Sequence, residues 1–161
     1  MTMVRSSALF GGPDDIYRYE LRRVWNEARP VVLFIMLNPS TADESTDDPT
    51  IRRCINFARD WGYGALTVGN LFALRTKHSK RLLRSADPIG PENDRTLMKL
   101  IDEHLIVVAA WGAFGSRCAR AREVCRLIGP SKCLGVTRAG FPRHPLYVQR
   151  YATMLDWNGM I

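Results

Sequence analysis

Four short apolar runs, separated by stretches with helical periodicity, limit the folds that this chain can adopt. They occupy residues 31–37, 65–71, 105–111 and 133–137. Each run is mostly apolar and rich in β-branched residues, which is typical of strands buried on both faces of a parallel sheet. Between and after the runs, the spacing of apolar residues predicts helices at 49–62, 91–104, 116–128 and 145–155.

Strand and helix alternate four times along the chain, and this order predicts an α/β fold. We expect one domain over residues 1–161, built as a three-layer α/β/α sandwich around a four-stranded parallel sheet. Upstream of the first run, the side chains of residues 17–22 alternate in character with a period of two residues. This alternation predicts an additional N-terminal edge strand. No repeat and no Pro/Gly/Ser-rich linker divides the sequence.

Basic residues are concentrated in the last third of the chain, which carries most of the net charge of +7. Residues 104–150 hold eight Lys and Arg residues and a single acidic residue, Glu123. A second basic cluster lies at residues 75–84. Most of these residues are Arg, which grips phosphates well, so nucleic acid, with DNA first, is the expected partner. A solvated, Arg-rich helix with no polyanionic partner would give the same composition.

Apolar stretches and cysteines narrow the class of protein further. No stretch reaches the roughly 18 residues that a membrane span needs, and the N-terminus lacks the apolar segment of a signal peptide. We therefore expect a cytoplasmic monomer with no membrane partner. The four cysteines contain no Cys-x-x-Cys pair, which argues against a zinc site or a disulfide framework and favours buried thiols. No metal site and no cofactor are predicted.

Polar and aromatic residues follow each predicted strand. In an open parallel sheet, ligands bind outside the carboxyl ends of the strands. The segments at these ends are residues 38–43, Asn70, residues 111–115 and residues 137–146. We expect them to meet in one cleft.

Four short motifs stand at these strand ends: Asn38-Pro39, Asn70, Trp111-Gly112 and His144-Pro145. Their order resembles that of the motifs in the uracil-DNA glycosylase superfamily. The chain is also similar to an uncharacterised family of small bacterial and phage proteins that carry the run Leu37-Asn-Pro-Ser-Thr-Ala-Asp43. The first resemblance implies a uracil-DNA glycosylase-like fold with strand order 2-1-3-4. It also implies hydrolysis of the N-glycosidic bond of a damaged or modified base in DNA, without a cofactor.

The same resemblance implies roles for individual residues. Asn38 would position the attacking water, His144 would donate to a base carbonyl, and Asn70 would bond the base edge. Asp43 is the nearest carboxylate in sequence if the reaction needs a stronger base than an amide. Substrate contacts are expected from Pro39, Ser40, Asn70, Trp111, Gly112 and Phe114. Nucleic-acid contacts are expected from Arg75, Lys77, Arg138, Arg143 and Leu146.

Two other functions fit the same residues. Met36 and Ser40 stand where these glycosylases carry glycine, and the closing loop lacks their phosphate-binding serine, so a nucleic-acid-binding module without chemistry is one alternative. The other is a nucleotide or nucleoside hydrolase whose acidic residues at 43–48 hold a metal. Turnover separates the first alternative from a glycosylase, and metal dependence separates the second. Structural roles also fit, since Asn38-Pro39 suits a turn and Trp111 suits core packing.

Overall fold

Seven strands form one mixed sheet in residues 2–159, the part of the chain that this computed structural model describes. In chain order they are β1 (Arg5–Gly11), β2 (Tyr17–Val24), β3 (Val31–Met36), β4 (Ala65–Asn70), β5 (Val107–Ala109), β6 (Ser131–Cys133) and β7 (Leu155–Trp157). Their order across the sheet is β1-β2-β4-β3-β5-β6-β7. The neighbours β4, β3, β5 and β6 are parallel, whereas β1 with β2, β2 with β4 and β6 with β7 pair antiparallel.

The prediction of a four-stranded parallel sheet with strand order 2-1-3-4 is therefore wrong. Three antiparallel strands extend the sheet, and the segment at 17–22 is not at its edge, because β2 pairs with β1 on one side and with β4 on the other. Strand β1 gave no apolar signal because most of its side chains are polar or exposed. Strand β7 has only three residues, too few for a pattern of alternation.

The predicted helix at 145–155 is also wrong. This segment holds a 3₁₀ turn, Pro145–Tyr147, and then irregular chain with a second turn, closed by a hydrogen bond from the N–H of Ala152 to the carbonyl of Gln149, before β7. Two of its carbonyl groups accept hydrogen bonds from side chains of the neighbouring helix and of the residue that follows that helix: Arg53 donates to the carbonyl of Val148 and Trp61 to that of Ala152. Val148 and Ala152 also pack against the core, and apolar residues four positions apart are the spacing that a helix would show.

Four α-helices flank the sheet in residues 2–159: α1 (Pro49–Asp60), α2 (Asn93–Glu103), α3 (Gly112–Ser116) and α4 (Ala119–Ile128). The helices predicted at 49–62 and 91–104 are confirmed by α1 and α2. The helix predicted at 116–128 is α4 alone, and the short α3 precedes it. The chain also forms 3₁₀ turns at Pro13–Asp15 and Ser79–Leu83.

Strand β3 lies at the centre of the sheet and is buried on both faces. Val32, Phe34 and Met36 belong to an apolar cluster with the buried face of α1. Leu33 and Ile35 belong to a second cluster on the opposite face, with α2 and α4. This two-sided burial explains why the run at 31–37 is continuously apolar instead of alternating.

Helix α1 begins beside the carboxyl end of β3. The side chain of Asp48 caps it, because Oδ1 accepts a hydrogen bond of 2.9 Å from the backbone N–H of Ile51, and Pro49 occupies the first helical position. The carboxylate satisfies an N–H group of the first turn, and proline at the first position removes an N–H that would have no partner in the helix. The cap places a carboxylate and the first turn of a helix at the carboxyl edge of the sheet.

A β-bulge at Tyr19 changes which side chains of β2 face the core. Leu9 pairs with Glu20 but Phe10 pairs with Arg18, so Tyr19 is an extra residue on β2. One extra residue moves the preceding side chains to the other face of the sheet. As a result, Arg18 reaches the loop at residues 42–47, the same loop that Arg23 reaches from its position five residues later.

None of the helices formed by residues 2–159 has the length and apolar content that crossing a bilayer requires. The expected burial of the thiols holds for Cys54 and Cys133. It does not hold for Cys118 and Cys125, which are partly exposed.

Candidate functional site

A cleft of about 550 Å³ opens at the carboxyl ends of β3, β5 and β6. Its walls come from the loop after each of these strands, from the first turn of α1 and from the loop after β4. The buried lining residues, which we call the floor, are Arg18, Met36, Asp48, Ile51, Trp111 and Gly112. The exposed lining residues, which we call the rim, are Lys77, Arg143 and Tyr147. The carboxyl edge of the sheet therefore carries a concave site with polar groups, as ligand sites of open α/β sheets do.

His144 stands in the loop that closes the cleft. The backbone N–H of Leu146 donates to its Nδ1 at 3.2 Å, so in the neutral imidazole the proton lies on Nε2. Burial lowers the pKa of His144, although the carboxylate of Asp48 acts in the opposite direction. At neutral pH, His144 is therefore an uncharged ring with an Nε2–H that can donate.

Gly112 allows this loop to approach the start of α3. Its φ is +78°, and a Cβ atom there would lie 3.2 Å from the Cβ of His144. The adjacent Trp111 is fully buried, with Nε1 donating to the hydroxyl of Ser116 at 3.0 Å and its ring edge against Trp157. The Trp111-Gly112 pair thus holds the wall of the cleft in place next to the imidazole.

Asn38 lies at the end of β3 with its amide fixed. Nδ2 donates to the carbonyl of Pro39 and to the carbonyl of Thr76, both at 2.8 Å. Both amide hydrogens are used in this way, so the remaining capacity of the side chain is the acceptor Oδ1. These bonds also tie the loop after β4 to the loop after β3.

Two charged residues of the floor were not predicted to contact the substrate, although the metal alternative included Asp48 among the acidic residues at 43–48. Arg18 is 2% exposed, and its Nη1 donates to the carbonyl of Ala42 at 2.6 Å. Burial lowers its pKa to about 10, with Asp48 acting in the opposite direction, so the guanidinium stays charged at neutral pH. Asp48 is 8% exposed and engaged by the backbone N–H groups of Ile51 and Ala42.

Aromatic and hydroxyl side chains complete the lining. Phe114 and Tyr147 present ring surface, and the ring of Tyr147 lies 5.6 Å from that of His144 between centroids. Hydroxyl groups come from Ser40, Thr50, Thr76, Ser79 and Thr137. Flat apolar surface combined with polar groups of both kinds suits a planar heterocycle that carries hydrogen-bonding edges.

The cleft brings together eight of the residues proposed from the sequence, namely Asn38, Ser40, Lys77, Trp111, Gly112, Phe114, Arg143 and His144. Pro39, Asp43, Asn70, Arg75, Arg138 and Leu146 do not line it. Arg138 and Leu146 are exposed outside it, whereas Pro39 is buried. Arg75 is turned toward the N-terminal strands, where its guanidinium covers the ring of Phe10 and donates to the carbonyl of Asp15.

The acidic loop at residues 43–48 uses its carboxylates to hold its own structure. Oδ1 of Asp43 accepts from the backbone N–H groups of Ser45 and Thr46, and these bonds lower the pKa of Asp43. Asp47 pairs with Arg23 at 2.8 Å. Residues 2–159 contain no group of three or more His, Cys, Asp or Glu side chains arranged to hold a metal ion.

Asn70 is buried at the end of β4, outside the cleft lining. Neither Oδ1 nor Nδ2 has a hydrogen-bond partner among the described residues. Its backbone position pairs with Met36, which is a floor residue. A buried amide without hydrogen-bond partners costs free energy. The Asn70 side chain can therefore still donate and accept hydrogen bonds, and it lies next to the floor residue Met36 in the sheet.

The missed residues differ in whether the sequence could have revealed them. The N-cap of a helix that follows a parallel strand lies at the carboxyl edge of the sheet, so Asp48 and Thr50 could have been placed there. Tyr147 directly follows the loop that was singled out. No sequence pattern indicates Arg18 as a site residue, because the direction of its side chain depends on the bulge at Tyr19.

Comparison with protein families gives one match. The model for the family described as "Protein of unknown function (DUF1643)" matches residues 18–146, which include the cleft from Arg18 to His144. No curated protein and no solved structure matches the chain. Because the match spans most of the sequence, the chain belongs to the DUF1643 family.

Proposed function

We propose that this protein takes a base of DNA into the cleft and hydrolyses its N-glycosidic bond. The observation that carries the proposal is the meeting of Asn38 and His144 in one cleft, with His144 an uncharged donor through Nε2–H. The hydrolysis needs an aligned water and a donor for the charge that builds up on the departing base. Both groups are available from these two side chains.

In the proposed reaction, water attacks the anomeric carbon of the sugar while the bond to the base breaks. The base leaves with the electron pair and takes a proton, and the strand keeps an abasic site. Oδ1 of Asn38 orients the water, because the amide hydrogens are already bonded to Pro39 and Thr76. Nε2–H of His144 donates to a base carbonyl, where the negative charge develops.

Asp48 replaces Asp43 as the carboxylate of the proposed site. Asp48 lines the cleft, whereas Asp43 does not and is bonded within its own loop. A carboxylate beside the sugar stabilises the positive charge that the sugar acquires as the base departs. Asn70 is proposed to bond the base edge after the Met36 side chain shifts, since methionine rearranges easily.

DNA as the partner is supported by the surroundings of the cleft. Lys77, Arg143 and Tyr147 form its rim, and Arg138 is exposed nearby in the chain. Cations at the mouth suit a phosphate backbone, and an exposed aromatic ring suits an unstacked base. A base must leave the helix to enter such a cleft, as in other enzymes that act on bases.

The test is formation of abasic sites in oligonucleotides that carry uracil, hypoxanthine, hydroxymethyluracil or a mismatch. Wild type should cleave at least one of them, and His144→Ala should be slower by about 10²–10³ with nearly unchanged affinity. His78→Ala is the control, because His78 is exposed and does not line the cleft. Oligonucleotide binding without any abasic product would favour the binding module instead, and an unimpaired His144→Ala would refute the mechanism.

A further inference from the structure

Arg18 and Arg23 are two buried arginines of β2 whose guanidinium groups differ in their ion-pair and hydrogen-bond partners. Arg23, 1% exposed, pairs with Asp47 and donates to the carbonyls of Asp43 and Ser7. Arg18, 2% exposed, donates to the carbonyl of Ala42, and its Nε has no partner among the described residues. Arg18 forms no ion pair within 4.0 Å in the part of the chain that the structure describes.

Arg18 also differs from Arg23 in the position of its side chain relative to the cleft. Its side chain lines the cleft, whereas that of Arg23 does not. A buried cation without an ion-pair partner costs folding free energy, and such groups are normally paired or coordinate a ligand. A ligand anion in the cleft would supply the missing partner.

Two other lining residues of the cleft are suited to an anion. Thr50 lies in the first turn of α1, a helix of 12 residues, where the helix dipole favours negative charge. Ser40 adds a second hydroxyl to the lining. Asp48 opposes an anion by its charge, but its carboxylate oxygens are held by the N–H groups of Ile51 and Ala42.

We propose that Arg18, with Thr50 and Ser40 of the cleft lining, forms an anion subsite, and that this subsite takes a phosphate group of the substrate. The inference rests on the proposed function, because it adds a second contact to the substrate whose base lies near His144. It assigns the substrate class as a phosphorylated nucleoside unit. The phosphate is either the terminal group of a mononucleotide or a phosphodiester of a strand.

Calorimetric titration of wild type tests the subsite. The ligands are the four deoxynucleosides, their 5′-monophosphates, and trinucleotides that carry internal phosphodiesters but no terminal phosphate. A 5′-monophosphate should bind about 10- to 100-fold more tightly than its nucleoside, as hydrogen bonds to a charged group imply. The advantage should persist at about 0.5 M salt, since buried charges are screened less than those of the rim.

Two substitutions of floor residues should change the affinity advantage of the 5′-monophosphate over its nucleoside in opposite directions. Arg18→Met should remove the advantage of the monophosphate, and urea denaturation of the variant beside wild type shows whether it is folded. Asp48→Asn should increase the advantage, because the opposing charge is lost while asparagine still caps α1. Arg29→Met is the control for the change in net charge, because Arg29 is exposed just before the amino end of β3 and does not line the cleft.

The trinucleotide identifies the source of the phosphate. If it shows the same advantage as the monophosphate, a strand phosphodiester occupies the subsite, and otherwise a terminal phosphate does. Equal affinity for nucleosides and both phosphorylated ligands, an advantage that disappears in salt, or no binding at all would overturn the subsite. The hydrolysis is judged separately: abasic products without the advantage refute only the subsite, and the advantage without abasic products refutes only the hydrolysis.

Discussion

Gly112 and His144 approach so closely that a methyl group at position 112 would lie 3.2 Å from the Cβ of His144. The contact joins the start of α3 to the closing loop of the cleft, two segments separated by about thirty positions in the sequence. Gly112 has a φ of +78°, a left-handed conformation that glycine adopts without strain, and its lack of a side chain leaves room for His144. The location of the imidazole therefore depends on this glycine.

Gly112→Ala should destabilise the protein and impair the cleft. The left-handed backbone alone costs about 1–2 kcal/mol for alanine, and the contact also displaces His144. Gly62→Ala is a matched control, because Gly62 has a φ of +87° and nothing within 4 Å of the added Cβ. Urea denaturation should show a loss in both variants, while only Gly112→Ala should lower abasic-site formation. Equal activity in the two variants would contradict the role of Gly112.

Stability should decrease as the pH is lowered from about 7.5 to about 5. The pKa values of His104 and His144 are lowered in the folded protein, in both cases chiefly by burial. The unfolded chain, with a histidine pKa near 6.5, therefore binds more protons below that pH, and the linkage favours unfolding. Above about pH 7.5 both states are neutral at these residues and the effect vanishes.

The double variant His104→Gln and His144→Gln should show a smaller change in stability over the same pH range. Its denaturation at pH 7.5 measures the packing and hydrogen bonds lost, including the bonds of His104 to Leu100 and Thr67. The difference between pH 7.5 and pH 5 then isolates the protonation. A double variant as sensitive to acid as wild type would assign the pH dependence to other groups.

The fold was predictable where burial on both faces leaves a continuous apolar run. The predicted 31–37 and 65–71 agree closely with β3 and β4, whereas 105–111 shortened to β5 and 133–137 gave way to β6 at Ser131–Cys133. The N-terminal hairpin was not predictable in the same way, because pairing of exposed backbone in β1 needs no apolar side chain. The helix predicted at 145–155 is absent because carbonyl groups of this segment accept hydrogen bonds from Arg53 of α1 and from Trp61, which follows α1.

The candidate site was predictable where it depends on topology alone. The segments that carry Asn38 and His144 were predicted to meet because residues at the carboxyl ends of parallel strands lie at one edge, and the motif resemblance then implied the roles of these two residues. Arg18 was not predicted, because alternation along residues 17–22 places it on the face opposite to its actual position. A single extra residue at Tyr19 reverses that assignment, and no local pattern announces the bulge.

Arg23→Met should destabilise the protein by about 2–3 kcal/mol, since it leaves Asp47 and several carbonyl groups without their buried partner. The partners are Asp47 at 2.8 Å and the carbonyls of Asp43 and Thr46. Arg22→Met is the control on the same strand and should cost less than about 1 kcal/mol. Thermal or urea unfolding measures both. A loss in Arg23→Met no larger than in the control would mean that this loop is held by other contacts.

Lys77→Ala should weaken oligonucleotide binding and lower its dependence on salt. Lys77 lies at the rim of the cleft, and each phosphate contact that is lost removes about one unit from the slope of log K against log salt. Lys80→Ala removes the same charge three residues later, at an exposed position outside the lining. Titrations at several salt concentrations should leave this second variant close to wild type. Equal slopes for the two variants would show that the loss of a positive charge weakens binding equally at the rim and outside the cleft.

Tyr147→Ala should reduce affinity for single-stranded oligonucleotides by about 1–3 kcal/mol, the range measured for a base stacked on an aromatic ring. Tyr147 and Tyr151 are both 77% exposed, but only Tyr147 lines the cleft beside His144. Fluorescence anisotropy should therefore show a much smaller loss for Tyr151→Ala, and Tyr147→Phe, which keeps the ring, should bind nearly as wild type. If Tyr147→Phe loses as much as Tyr147→Ala, the hydroxyl and not the ring makes the contact. If both tyrosines contribute equally, the nucleic acid covers the whole surface around the closing loop and the cleft has no special part in binding.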